Sequence, residues 1–171
     1  NDPYDDHATH VTGTIIAKGA DAQAKGMAPY ATAVSYNWSD DSIEVLNEIE
    51  NNGLLVSNHS YGTSVAIAVG LGYEWLMGKY DSNAEEWDNI HFNNPFYLQV
   101  ESAGNDGTVN YAGASYNGYD KLTRSTVSKN NLVVANAQDP GISTLGELTA
   151  LNINSSSSQG PTDDGRIKPD I

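Results

Sequence analysis

Short apolar runs, separated by polar or mixed segments, recur along the chain. They lie at residues 31–35, 54–57, 96–100 and 132–135. Each run is near-continuously apolar rather than alternating between apolar and polar positions. This pattern is typical of strands that are covered on both faces, as in a parallel sheet. The sequence therefore predicts strands at these four places.

Two segments between these runs have the features of helices. Residues 8–17 are small, β-branched and apolar, and a lysine and a glycine at 18–19 end the segment, which predicts a buried helix. A second segment begins with capping oxygens at 40–42 and ends at Gly53. Its apolar residues are spaced by three, on one helical face: Ile43, Leu46 and Ile49.

The succession of strand, helix and strand predicts an α/β fold with a parallel sheet. In such folds, binding sites form beyond the carboxyl ends of the strands. The segment NHSYG follows the run at 54–57, and ESAGNDG follows the run at 96–100. These two segments are therefore the first candidates for a functional site.

Composition narrows the choice of partners. The chain has 171 residues, enough for one domain or part of one, and a formal net charge of −14. This charge repels phosphate backbones and anionic lipid surfaces, so neither nucleic acid nor membrane is expected as a partner. The absence of cysteine excludes disulfides, thiolate catalysis and cysteine-ligated zinc. No apolar run approaches the roughly 18 residues of a membrane span.

Two groups of residues raise the question of a metal site. His7 and His10 are spaced i, i+3, whereas zinc-binding histidines on a helix favour i, i+4 with a glutamate after the first, where Ala8 stands here. The segment DSNAEEWDN at 81–89 is rich in oxygen ligands, but it lacks the glycine that an EF-hand loop requires. A solvated helix start is the preferred interpretation of this segment. No metal ligand is therefore assigned.

Five segments, in order along the chain, resemble the subtilases, the subtilisin-like serine proteases. They are HATHVTGT at 7–14, GMAPYA at 26–31, SNHSYG at 57–62, ESAGNDG at 101–107 and SSSSQGPTDDGRIKPDI at 155–171. The resemblance spans almost the whole chain. It implies a partial catalytic domain over residues 1–171, with a three-layer fold: a predominantly parallel sheet with helices on both faces, incomplete at both ends.

The resemblance also implies catalytic roles. His7, the first histidine of its motif, would be the general base that takes the serine proton and returns it to the leaving amine. His10 would be a structural companion. Asn105 would donate its side-chain amide to the oxyanion of the tetrahedral intermediate. Gly104 and Gly107 would allow the sharp turn around it.

Six residues match the family's segments around the primary specificity pocket: Ser60, Tyr61, Gly62, Ser102, Ala103 and Gly104. The first segment would pair with extended substrate backbone, and Tyr61 would shape a pocket wall. His59 is expected to be a packed or hydrogen-bonded neighbour, and His91, in a polar context, is expected at the surface. The implied protein is a secreted endopeptidase that acts on polypeptides. It needs no cofactor for its chemistry, although structural calcium would fit the family.

Two parts of the family's catalytic triad have no counterpart in the sequence. Asp2, Asp5 and Asp6 follow no strand and lack the family's D-[ST]-G context, and no G-T-S occurs anywhere in the chain. Without a nucleophile, an acyl-enzyme cannot form. We therefore expect the chain alone to be a catalytically inactive fragment. Its missing parts would leave apolar core surfaces exposed, and association through these surfaces is expected.

Two alternatives to the endopeptidase remain open. The chain could be a non-catalytic subtilase-like module that still binds extended peptides through residues 60–62. It could also be a metal-dependent hydrolase that uses His7 and His10, although their spacing does not favour this reading.

Overall fold

The computed structural model describes residues 5–171. Two compact units divide the chain at Glu44 and Val45, so that the first is Asn1–Glu44 and the second is Val45–Ile171. The division falls inside a helix, Asp41–Asn52.

Helix α1, Asp6–Ile16, is the main element of the first unit. The side chain of Asp5 caps it by accepting a hydrogen bond from the backbone N–H of Ala8 at 2.7 Å. A short 3₁₀ helix follows at Ala22–Ala24. Residues 26–28 then run back along α1, and their N–H groups donate to carbonyls near its end at 2.7 to 3.0 Å. The GMAPYA segment is thereby fixed against the helix that carries the histidines.

Two predictions for this unit need correction. The helix predicted at 8–17 is confirmed, but its burial is wrong, because no residue of α1 is buried. The segment that packs along it, 26–28, is irregular and cannot cover a helix all round. The strand predicted at 31–35 is also wrong, since these residues are irregular and exposed. Strands need a hydrogen-bonded neighbour, and residues 5–44 contain none.

Three parallel strands form the sheet of the second unit, in the order β1-β2-β3. Their bounds are Val56–His59, Leu98–Ser102 and Leu132–Val134. They confirm the strands predicted at 54–57, 96–100 and 132–135, although β1 and β2 begin two residues later than the apolar runs. The parallel α/β fold is thus confirmed.

Helices and a small hairpin surround this sheet. The helices are α2 at Asp41–Asn52, α3 at Val65–Gly70 and α4 at Ser82–Asn93, with 3₁₀ helices at Glu74–Leu76 and Arg124–Val127. An antiparallel pair, β4 at Gly141–Ile142 and β5 at Leu148–Ala150, forms the hairpin. None of the helices within residues 5–171 is long and apolar enough to cross a membrane.

Helix α2 confirms the second predicted helix, and it ends before Gly53, whose φ is +67°. Its apolar face is rotated relative to the prediction, because Ile43 is 67% exposed and Val45 is buried instead. Leu46 and Ile49 pack against the same core cluster as Val45. That cluster includes buried residues of α4, so the side chains that contact α4 define the buried face.

Helix α4 packs its apolar side against one face of the sheet. Asp81 caps it by accepting from the N–H groups of Asn83 and Ala84, both at 3.0 Å. The helix start preferred for 81–89 is therefore confirmed, although the segment is only partly solvated, because Ala84, Trp87 and Asp88 are buried. On the opposite face of the sheet, the side chains of Val56 and Leu98 are 57% and 37% exposed. Part of this second face is therefore exposed within the second unit.

His91 was expected at the surface, and this prediction is wrong because only 5% of it is exposed. Its Nδ1 donates to the carbonyl of Trp87 at 2.7 Å, and its ring stacks on Tyr97 with a centroid distance of 5.3 Å. The backbone N–H of Gln99 points at Nε2 at 3.4 Å. Burial lowers the pKa of His91. The prediction relied on the polar residues next to His91 in the sequence. His91 stands four residues after the buried Trp87, however, and therefore lies on the same inner face of α4.

Candidate active site

Two of the predicted segments leave the sheet at one edge. His59, the last residue of β1, lies opposite Glu101 of β2 in the parallel register. The residues predicted to bind substrate occupy or follow the carboxyl ends of these strands: Ser60, Tyr61 and Gly62 after β1, and Ser102, Ala103 and Gly104 along β2 and beyond it. The structure therefore brings both segments to the edge where ligands bind in parallel α/β sheets.

These residues differ in what they can present to a ligand. Gly62 is exposed, and Ser60 and Tyr61 are half-buried. Ala103 is buried in a core cluster, and its N–H donates to the carbonyl of Val134 at 2.9 Å. The side chain of Ala103 therefore packs in the core.

A buried histidine holds Tyr61 in place. His59 is 5% exposed, and its Nδ1 hydrogen-bonds with the Tyr61 hydroxyl at 2.5 Å. Its Nε2 hydrogen-bonds with Ser57 Oγ, which in turn bonds the hydroxyl of Tyr97, both at 2.6 Å. The ring also meets Trp87 edge-on, with centroids 5.2 Å apart. His59 is thus the packed and hydrogen-bonded neighbour that the sequence predicts.

Asn105 lies in a tight turn just beyond β2, residues 104–107, which we call the Asn105 turn. Asn105 is exposed. Gly104 before it has a φ of +99°, and a Cβ at this position would lie 2.9 Å from Ser158 Oγ. A side chain there would be both strained and crowded. The turn therefore places an exposed amide donor at the carboxyl edge of the sheet.

The serine run at 155–158 fixes both ends of the Asn105 turn. The N–H of Ser158 donates to the carbonyl of Gly104 at 3.0 Å, and the N–H of Gly107 donates to the carbonyl of Ser156 at 2.9 Å. Backbone hydrogen bonds from the serine run thus hold the turn that carries Asn105.

Two charged side chains strengthen this arrangement. The N–H of Asp106 donates to Ser158 Oγ at 2.9 Å, and its carboxylate accepts from the N–H of Val65, the first residue of α3, at 3.0 Å. Lys121, only 3% exposed, donates to the carbonyl of Gly107. Burial lowers the pKa of Lys121, while the carboxylate of Asp106 acts in the opposite direction.

Sequence reasoning missed these supporting residues. Asp106 stands next to Asn105, and this adjacency was a usable signal. Ser158 and Lys121 had no local signal, because each acts on the turn through the fold. Ser158 lies 52 positions from Asp106, and Lys121 lies 14 positions from Gly107.

The predicted base, His7, belongs to the first unit. It lies in the first turn of α1 and is exposed. His10, one turn later, is exposed too, and its carbonyl accepts from Thr14 Oγ1 at 2.9 Å. Both imidazoles are therefore exposed on α1.

Two of the acidic residues that precede His7 take part in the start of α1. The carboxylate of Asp5 caps α1 at the N–H of Ala8, and Asp6 lies in the first turn of the same helix. Asp2 lies outside the described residues.

A metal centre built from three or more histidine or acidic side chains is not found in residues 5–171. The structural calcium suggested by the resemblance stays a prediction.

Comparisons with known proteins point to the same family as the five sequence segments. The model of the subtilase family matches residues 1–171. Serine protease AprX of Bacillus subtilis (strain 168) is 27% identical over 190 residues, covering 99% of this chain and 38% of the relative. The serine protease/ABC transporter B family protein tagA of Dictyostelium discoideum is 26% identical over 151 residues, covering 86% of this chain and 8% of the relative. No solved structure matches.

The chain therefore spans well under half the length of both of these curated relatives. The family model, by contrast, accounts for every residue of it, from the histidine segment to the final KPDI. This chain belongs to the subtilase family.

Proposed function

We propose that these residues form part of the catalytic domain of a secreted serine endopeptidase of the subtilisin type, which hydrolyses peptide bonds through an acyl-enzyme. The observation that carries this proposal is the Asn105 turn, which is clamped at the carboxyl edge of the sheet beside the strand ends that carry Ser60 and Ser102. Family membership supports the class of reaction, and secretion is inferred from the same resemblance.

In this proposal, Asn105 stabilises charge that develops during the reaction. Its exposed side-chain amide would donate a hydrogen bond to the oxyanion of the tetrahedral intermediate. Such a donor is effective only when it is held in place before the reaction. The hydrogen bonds from the serine run, Asp106 and Lys121 restrict the turn in this way.

His7 is proposed as the general base. Its imidazole would take the proton of a nucleophilic serine during attack and return it to the leaving amine, the two transfers that acyl transfer requires. The family's nucleophilic serine stands in a G-T-S motif, and the 171 residues contain no such motif.

The substrates are proposed to be polypeptides in an extended conformation. Residues 60–62 leave β1 at an edge position, where a substrate strand could add main-chain hydrogen bonds. Tyr61, fixed by His59, would form one pocket wall. The chemistry uses no cofactor. The net charge of −14 supports the expectation that nucleic acid and anionic membranes are not partners.

Residues 1–171 alone are proposed to be inactive. Because no serine stands in the nucleophile motif, the purified polypeptide should give no turnover of a peptide substrate that a serine-directed inhibitor can block. Inhibitor-sensitive turnover by this polypeptide would contradict the proposal.

The test of the function uses the longest product of the reading frame that contains these residues. We expect it to hydrolyse a denatured protein and to be blocked by a serine-directed inhibitor. His7→Ala should lower kcat by about 10²-fold or more, because a general base contributes this much. His10→Ala, one helical turn away, is the matched control and should keep most of the activity.

A product that binds peptides without hydrolysing them would overturn the endopeptidase proposal in favour of the peptide-binding module. Equal losses in the two histidine variants would remove His7 from its proposed role. Loss of bound zinc in both variants would point instead to a metal-dependent hydrolase.

A further inference from the structure

A side chain joins the Asn105 turn to the helix that follows the proposed substrate-binding segment. Asp106 is half-buried, and its Oδ2 accepts a hydrogen bond from the backbone N–H of Val65 at 3.0 Å. Val65 is the first residue of α3 and is 0% exposed. A buried N–H needs an acceptor, and a carboxylate forms a stronger hydrogen bond than a neutral oxygen does. This contact, which we call the Asp106–Val65 bond, connects residues that stand 41 positions apart.

The link from Val65 back to the proposed substrate-binding segment is short. Two residues, Thr63 and Ser64, lie between residues 60–62 and Val65. The carbonyl of Thr63 accepts from Thr123 Oγ1 at 3.4 Å, and Ser64 caps α3 through its side chain. Because both connecting residues are held, a force on residues 60–62 reaches the N–H of Val65 with little slack.

The link from Asp106 to the turn is equally direct. Asp106 belongs to the turn, and its N–H donates to Ser158 Oγ at 2.9 Å. Helix α3 also packs against the chain that follows the turn, since Val109 and Tyr111 contact the core cluster that contains Val65. The Asp106–Val65 bond and this packing therefore hold α3 against the Asn105 turn.

We propose that Asp106 is a positioning residue that couples substrate binding at residues 60–62 to the position of Asn105. The inference rests on the proposed function, because it takes residues 60–62 as the substrate strand and Asn105 as the oxyanion donor. A peptide paired with residues 60–62 holds this segment and, through the Asp106–Val65 bond, the turn. Part of its binding energy then holds Asn105 in the reactive geometry, which raises kcat and does not only lower KM.

The test uses the longest product of the reading frame that contains these residues, with two peptide substrates. The substrates share the scissile bond and the leaving group, and the longer one adds residues on the acyl side. For the wild type, we expect a higher kcat and a lower KM with the longer substrate. Asp106→Ala should bring the ratio of the two kcat values towards one, a loss of up to about 10-fold for one hydrogen bond to a charged group, while the longer substrate keeps its lower KM.

Val65→Pro removes the other partner of the same bond. Proline has no N–H and is tolerated at the first position of a helix. Ser64 before it has φ −70° and ψ 153°, an extended conformation that suits a residue before proline. This variant should reproduce the loss while Asp106 keeps its charge, and it supplies the test if Asp106→Ala does not fold. The double variant should lose no more than either single variant.

Asp106→Asn is the matched control. Its side-chain oxygen can accept the same hydrogen bond from Val65, although the charge is removed. It should therefore keep most of the effect of substrate length on kcat.

Three results would overturn the inference while the proposed function stands. One is a wild-type kcat ratio in Asp106→Ala. Another is a loss in Asp106→Ala that Val65→Pro does not reproduce, which would indicate that Asp106 acts through its charge or contacts the substrate directly. The third is an equal decrease of kcat for both substrates, with the ratio unchanged, which would indicate general destabilisation. A wild-type product that hydrolyses neither substrate would instead contradict the proposed function, and this inference with it.

Discussion

The hydroxyl of Ser158 has an unusual position for a small polar side chain. Ser158 is 1% exposed, and its Oγ accepts from the N–H of Asp106 at 2.9 Å while lying against Gly104. It thus contacts the residues on both sides of Asn105. This hydroxyl adds a side-chain contact to the two backbone hydrogen bonds that join the serine run to the Asn105 turn.

Replacement of Ser158 by alanine is therefore expected to destabilise the chain. The N–H of Asp106 would lose its acceptor in a partly buried place, and an unsatisfied polar group of this kind costs about 1–3 kcal/mol. Urea unfolding should show this decrease in the free energy of unfolding. Ser155→Ala, at the exposed end of the same run, is the control and should change it by less than about 0.5 kcal/mol. Equal effects of the two substitutions would contradict this role of the Ser158 hydroxyl.

Residues of helix α4 form contacts with both buried histidines, His59 and His91. Trp87 meets His59 edge-on, and His91 stacks on Tyr97 while receiving the N–H of Gln99. With Nδ1 donating to a carbonyl and Nε2 facing a donor, the neutral ring of His91 fits its surroundings. A protonated ring would direct a second N–H at the backbone N–H of Gln99.

This geometry predicts a pH dependence of stability. Burial lowers the folded-state pKa of His91 below that of the unfolded chain, near 6.5, so below this pH the unfolded state binds more protons than the folded state. The contribution is fully present above about pH 6.5 and is lost as the pH falls towards the folded pKa. Urea unfolding at a series of pH values should show a smaller slope in His91→Gln than in wild type. His10→Gln should keep the wild-type slope, and a loss of slope there instead would contradict the assignment.

Local sequence patterns predicted the positions of the helices and strands better than they predicted which residues of these elements are buried. Capping residues and Gly53 placed α2, and apolar runs placed β1 to β3 within two residues. Burial depends on what packs against an element, which is why α1 is less covered than its small residues suggest and why residues 31–35 form no strand. The burial of His91 was predicted wrongly for the same reason, since its ring stacks on Tyr97 and faces Gln99 of β2.

In the candidate site too, contiguous motifs could be predicted from the sequence, whereas contacts between residues far apart in the sequence could not. The segments around Ser60 and Asn105 could be found because each is contiguous in sequence and resembles a family motif. Their placement at one edge followed from the parallel sheet. The support that Ser158 gives to the Asn105 turn could not be found in this way, because Ser158 and Asp106 stand 52 positions apart and meet only through tertiary structure.

At the scale of the whole molecule, exposed apolar side chains and the net charge have opposite effects on association between chains. Large apolar side chains such as Val56, Leu98 and Phe96 are exposed in the second unit. Such surfaces favour association. The net charge of −14 favours mutual repulsion, which salt screens.

The isolated chain is therefore expected to associate more strongly as salt increases. Light scattering at rising protein concentration should give a larger average mass at high salt than at low salt. Leu98→Ser, which reduces the exposed apolar face of the sheet, should lower the mass relative to Asn110→Ser, an exposed loop control. A monomer at every salt and protein concentration would contradict this expectation.

The proposed reaction depends most directly on Asn105. The decisive measurement compares kcat and KM of Asn105→Ala with those of wild type, in the longest product of the reading frame that contains these residues. Asn110→Ala, another exposed asparagine shortly after the turn, serves as the control. We expect kcat to fall by about 10²–10³-fold, the loss known for an oxyanion-hole asparagine in a subtilisin, with KM nearly unchanged and the control near wild type. An unchanged kcat in Asn105→Ala, or an equal loss in the control, would contradict the proposed function of the Asn105 turn.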